Sequence, residues 1–220
     1  MLEAAIFDMD GLLADTEPLW HEVECAAYAE VGLAITAEEC MLTMGLRVDE
    51  AVAFWYARTP SMTGSPEELC GRIVERMVAA IATRTAPMPG ALELIDRMQA
   101  RGWGLALASS SPYAIIDAVL TRCGLRAAFS VVHSAQDEER GKPDPAIYLT
   151  AAAKLGVAPT ACVALEDSVN GMVSAKAARM QVIAVPMPAH RAEPAWGLAD
   201  VVVDSLVDVD DGVLERLAGG

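Results

Sequence analysis

A chain of 220 residues, 54% hydrophobic and 21% charged, carries enough apolar material for one large domain or two small ones. Its formal net charge of −15, with lysine only at Lys142, Lys154 and Lys176, disfavours nucleic acid or an acidic membrane surface as a partner. A small phosphate ester remains open, because a bound metal ion inverts the field locally.

The five cysteines show no CxxC and no metal-ligand spacing, and Cys25, Cys40 and Cys70 read as small core hydrophobes. Neither a signal peptide nor an apolar span of roughly 18 residues is visible, so a cytoplasmic location is expected. In chain order, Ala4-Ala5-Ile6-Phe7 is a short apolar run that predicts a buried strand. It ends in Asp8-Met9-Asp10-Gly11, two carboxylates that share one face of the strand and a glycine that lets the chain turn away. The pattern then becomes helical. Pro18 opens a helix over 18–30 that stops at Gly32. Thr36 and Glu39 form a capping box for a short helix over 37–42, and a further helix is expected across 48–58. Ser65, Pro66 and Glu68 read as a second capping box, opening a helix that runs to about Thr83.

From Pro87-Met88-Pro89-Gly90 onward, helices and strands alternate. Strands are expected at 103–108, 129–134, 162–165, 182–185 and 201–203, with helices at 91–100, 111–123, 144–155, 169–178 and 211–217. Repeated βα units predict an α/β fold with a doubly wound parallel sheet. Residues 1–14 and 88–220 would form this Rossmann-like core, and residues 15–87 an inserted, all-helical cap.

Further polar residues fall at the carboxyl ends of predicted strands, where open α/β sheets bind ligands. Ser109-Ser110-Ser111 follows the second strand, where a hydroxyl beside a helix start suits a phosphoryl oxygen. Ser111, just before Pro112, is read as the cap of the next helix. Lys142 is the one lysine placed in a loop. Glu166-Asp167 ends another strand, and two acids there require a cation or a helix N-terminus.

Together these motifs resemble the haloacid dehalogenase superfamily, in the β-phosphoglucomutase-like branch with a helical cap inserted after the first strand. The resemblance rests on Asp8-Met9-Asp10-Gly11, Ser109, Lys142-Pro143 and Glu166-Asp167, in order along the whole chain. It implies a phosphatase acting on small sugar or sugar-alcohol phosphates. Asp8 would be the nucleophile that becomes phosphorylated and Asp10 the acid and base. Mg²⁺ would be held by Asp8, the carbonyl of Asp10 and Asp167, with Glu166 as second choice. Ser109, Ser110 and Lys142 would bind the phosphoryl oxygens. Trp20 and Arg47 would read the leaving group from the cap, and the protein would act as a monomer.

The mutases of that branch carry a histidine where this chain has Trp20, and a lysine-asparagine pair where it has Pro112-Tyr113, which favours hydrolysis over transfer. His21 lies about 100° further round the helix and is expected to face elsewhere. A non-catalytic binding protein on the same fold would be expected to lack one of Asp8, Asp10, Lys142 or Asp167, and all four are present.

Overall fold

The computed structural model describes residues 1–219; Gly220, the last residue of the expected core, lies outside them. The first strand, β1 (Ala4–Phe7), is completely buried. Four helices follow before the next strand: α1 (Glu17–Glu30), α2 (Ala37–Cys40), α3 (Val48–Arg58) and α4 (Pro66–Arg84). Both halves of the box at Thr36 and Glu39 are present, the Glu39 N–H donating to Thr36 Oγ1 at 3.2 Å and the Thr36 N–H to Glu39 Oε2 at 2.8 Å. α2 is shorter than expected and continues as a 3₁₀ turn over Met41–Thr43. At Ser65 only half of the expected box forms. The Glu68 N–H donates to Ser65 Oγ, which itself donates to Glu67 rather than leaving Glu68 to close the box.

The chain then runs through α5 (Ala91–Ala100), β2 (Gly104–Ser109), α6 (Tyr113–Arg122), β3 (Val131–Ser134), α7 (Ala146–Leu155), β4 (Cys162–Glu166), α8 (Val169–Ala177), β5 (Gln181–Ala184), β6 (Val201–Val202) and α9 (Asp211–Gly219). The strands form one sheet in the order β3-β2-β1-β4-β5-β6, and every pairing is parallel. β3 begins two residues later than its apolar run suggests. Phe129 instead turns into the core, edge-on to Phe7 with ring centroids 5.8 Å apart.

Alternation along the strands divides the core into two faces. Ala5, Phe7, Leu105, Leu107, Val163 and Leu165 face one side, continuous with the apolar side chains of α4, α5 and α6. Ala4, Ile6, Ala106, Ala108 and Ala164 face the other, where their small side chains let α7 and α8 pack close. The chain leaves the sheet after β1 and returns beside its own exit. Asp15 donates to Ala86 O at 3.0 Å, and Met88 to Leu13 O at 2.9 Å. The strand order reverses at β1, so the crevice at its carboxyl end is the topological switch point of the sheet.

Ile6 is fully buried among small residues at the centre of this sheet, with little freedom to collapse around a void. Ile6→Ala is expected to lower the unfolding free energy by about 2–5 kcal/mol in urea titrations. A loss below about 1 kcal/mol would contradict the packing described.

Candidate active site

Lys142 is the centre of the site. It is 1% exposed, and its Nζ donates to Asp8 Oδ1 at 2.5 Å, to Glu166 Oε1 at 2.6 Å and to Ala108 O at 3.2 Å. These three acceptors stand at or near the ends of β1, β4 and β2, so one ammonium ties together the three central strands. All three of its protons have acceptors, which is the condition for burying an ammonium. The Tyr148 ring adds a face 5.2 Å from Nζ. The paired carboxylates hold the Lys142 pKa above its ordinary value, against the effect of burial.

Glu166 and Asp167 divide as adjacent strand residues do. Glu166 points inward and is saturated: Oε1 accepts from Lys142 and from the Tyr148 hydroxyl at 2.6 Å, while Oε2 accepts from Ser168 Oγ at 3.0 Å. Gly171 permits this, because a Cβ there would fall 1.8 Å from Glu166 Oε1. Asp167 faces the cavity, and its buried Oδ2 has no hydrogen-bond partner. One carboxylate oxygen each from Asp8, Glu166 and Asp167 lie within 4.8 Å of one another. An all-oxygen donor set containing an orphaned buried oxygen fits a hard divalent cation. Of the acids expected to hold it, Asp167 and Asp8 have the free lone pairs and Glu166 does not. The Asp10 carboxylate is outside the cluster, and the family resemblance implies its carbonyl rather than its side chain as a donor. Burial, with the neighbouring acids adding to it, raises the pKa of Asp167 well above the carboxylate range and pushes Asp8 up to about 7. Gly11, with φ +74°, lets the chain pass; a Cβ there would lie 2.1 Å from Asp167 Oδ2.

Asp10 is held by hydroxyl and indole donors. Oδ1 accepts from Thr16 Oγ1 at 2.8 Å and Trp20 Nε1 at 3.0 Å; Oδ2 accepts from Ser111 Oγ at 2.8 Å and Ser109 Oγ at 3.4 Å. This corrects the reading of Ser111, because the position before α6 is occupied by Pro112, which offers no side-chain cap. Ser109 Oγ also accepts the Ser111 N–H at 3.1 Å. Ser110 lines the cavity while its hydroxyl donates to Gly45 O at 2.7 Å.

The cleft above these residues spans about 660 Å³, a volume that includes open solvent at its mouth. Trp20 lines it. So does His21, contrary to the expectation that it faces away: α1 meets the cavity broadside, and Glu17, Trp20, His21 and Glu24 all border it. The i, i+4, i+7 spacing of Glu17, His21 and Glu24 was the sequence signal for this stripe. Arg47, expected to read the leaving group, does not line the cavity. Its guanidinium bonds Ala135 O at 3.2 Å and Glu138 O at 2.8 Å, pairs with Asp49, and fastens the loop before α3 to the sheet. Thr16 and Tyr148 were not visible as site residues, being turn and helix residues without a motif of their own, whereas Glu17 and Glu24 were missed although the i, i+4, i+7 spacing marks them.

A family model described as "Hydrolase: haloacid dehalogenase-like hydrolase" matches residues 2–179. Hexitol phosphatase B of Escherichia coli (strain K12) is 44% identical over 207 residues, covering 94% of this chain and 93% of that one. The crystal structure of a mutant CbbY from Rhodobacter sphaeroides in complex with xylulose 1,5-bisphosphate superposes with a TM-score of 0.85 at 30% identity, covering 94% of this chain and 96% of the other. β-Phosphoglucomutase from Clostridium difficile superposes with a TM-score of 0.87 at 22% identity, covering 100% and 98%, which shows a shared fold.

Burial pushes Glu24 up to about 7 from an unfolded value of 4.5. As the pH rises, the unfolded chain gives up this proton first, so the group's contribution to stability is full below about pH 4.5 and lost by about pH 7. In metal-free protein, Glu24→Gln is expected to reduce the fall in melting temperature between about pH 5 and pH 8. An undiminished fall would contradict the desolvation assigned to Glu24.

Proposed function

Because the chain belongs to the haloacid dehalogenase-like hydrolase family, we propose that it is a Mg²⁺-dependent phosphatase of hexitol and related sugar monophosphates. The observation that carries this is the floor of the cavity: the Asp8 carboxylate against a buried ammonium, with an unpartnered Asp167 oxygen beside it. In this reading residues 15–87 are a cap, and residues 1–14 and 88–220 the catalytic core.

Asp8 attacks the phosphorus in line, giving a phosphorylated Asp8 and the free alcohol. Lys142 keeps Asp8 aimed and offsets charge on the transferring phosphoryl group. Ser109 and Ser110 stand at the end of β2 to receive phosphoryl oxygens, exchanging their present acceptors for the substrate. Asp10 protonates the leaving oxygen, then takes a proton from the water that releases phosphate. Trp20 and Thr16 hold the carboxyl of Asp10 in position for both transfers. Mg²⁺ bound by Asp8, Asp167 and the Asp10 carbonyl would neutralise charge at the phosphoryl oxygens.

Water is the favoured acceptor. Trp20 spends its indole N–H on Asp10 and has no basic atom to activate a sugar hydroxyl, and His21, the cap imidazole that borders the cavity, is the residue whose substitution tests transfer against hydrolysis.

Phosphate release from hexitol 6-phosphate is expected to require Mg²⁺ and to vanish with excess chelator; full activity after chelation would overturn the reading. Asp8→Asn should abolish turnover, and Asp10→Asn should lower kcat by about 10²–10⁴-fold with the fold intact. A near-normal rate in either variant would refute the role assigned to that residue.

A further inference from the structure

The far wall of the cavity is made by α1 and by the turn that follows α2. From α1 it receives His21 and Glu24, and from the other side Cys40, Thr43 and Leu46, while Glu17 beside Gly11 and Trp20 bonded to Asp10 border the cavity nearer its floor. Among the described residues bordering it there is no lysine and no arginine. Lys142 lies beneath Asp8, and Arg47 points away to Ala135 and Glu138. His21 does not replace them, because burial lowers its pKa from 6.5 and leaves a neutral imidazole at pH 7. The two glutamates have little to bond within the protein. The nearest nitrogen to Glu17 is His21 Nε2 at 3.7 Å, beyond a good hydrogen bond, and beside Glu24 stands the weakly donating Cys40 thiol.

We infer that the leaving-group end of the cavity is built for an uncharged, hydroxyl-rich group and rejects one carrying a second phosphate or a carboxylate, with Glu24 as the residue that sets this choice. The inference rests on the phosphatase reading and narrows its substrate class. A polyol supplies the hydroxyl donors that the carboxyl group of Glu24 lacks. A second phosphate would leave water and find no Lys or Arg among the lining residues to replace it, so its desolvation is uncompensated. A carboxylate at the same carbon meets the same obstacle with less charge. The neighbouring CbbY structure, by contrast, was solved with a sugar bisphosphate.

The test compares kcat/KM of the Mg²⁺-loaded wild-type enzyme for three probes: glucitol 6-phosphate, 6-phosphogluconate and fructose 1,6-bisphosphate. The first two differ at the far carbon only in alcohol against carboxylate. On the order of 100-fold lower values are expected for both charged probes. Glu24→Lys should raise the ratio of bisphosphate to glucitol phosphate activity by at least about tenfold. Hydrolysis of 6-phosphogluconate within about threefold of glucitol 6-phosphate would overturn the inference while leaving the phosphatase reading intact. An unchanged ratio in folded Glu24→Lys would remove Glu24 from the role. Should that variant fail to fold, the wild-type comparison decides alone. Release of phosphate from none of the probes would overturn the phosphatase reading and this inference with it.

Discussion

One buried ammonium organises this protein. Lys142 has no contact with bulk water, yet it stays charged because Asp8, Glu166 and the Ala108 carbonyl take its three protons. Removing it would strand two carboxylates in an apolar strand-end, a defect that typically destabilises by about 3–5 kcal/mol. The same arrangement makes Glu166 a structural acid. With Lys142, Tyr148 and both the hydroxyl and the N–H of Ser168 bonded to it, its four acceptor sites are occupied, and the neighbouring Asp167 is left as the acid facing the cavity. The division of labour between two adjacent acids therefore follows from the alternation of a strand and from where one lysine sits.

Besides the Trp20–Asp10 bond and the packing of α4 on α6, the inserted helices are fastened over this centre by four residues of one short stretch. Met44 O accepts from Asn170 Nδ2 at 2.9 Å, and Gly45 O from Ser110 Oγ. Arg47 donates to Ala135 O and Glu138 O, and Glu50 Oε1 accepts the Gly141 N–H at 2.9 Å. Gly45, with φ +79°, is where the stretch comes nearest the sheet, since a Cβ there would lie 2.6 Å from Ser168 Oγ. The last of these contacts is next door to Lys142. The arrangement that covers the cavity is thus in contact with the loop that carries its central cation, and in the proposed reaction such closure excludes water before phosphorus is attacked.

Much of this was legible in the residues. The apolar runs before Asp8, Ser109 and Glu166 located three central strands, and the break at Pro87–Gly90 separated helices from βα units, because buried parallel strands are nearly continuous in hydrophobicity. What failed depended on contacts between distant segments. Arg47 lies in a loop facing a cavity, but its partners are carbonyls about 90 residues further on, and no local pattern announces them. Ser111 has the sequence of a helix cap, yet its hydroxyl donates to the Asp10 carboxylate at 2.8 Å and Pro112 stands at the cap of α6. His21 was judged by rotation from Trp20, which is sound for a narrow stripe. α1 borders the cavity with a wide face that includes both.

The central claim is that Lys142 holds Asp8 as the group that accepts the phosphoryl of a sugar or polyol phosphate. The most direct measurement is acid-quenched turnover of hexitol 6-phosphate with Mg²⁺, followed by digestion and mass spectrometry of the Asp8 peptide in wild type and in Lys142→Met. A phosphoryl group on Asp8 in the wild type, lost in the variant, is the expected result. Phosphate released with no label on Asp8, or undiminished labelling without Lys142, would contradict it.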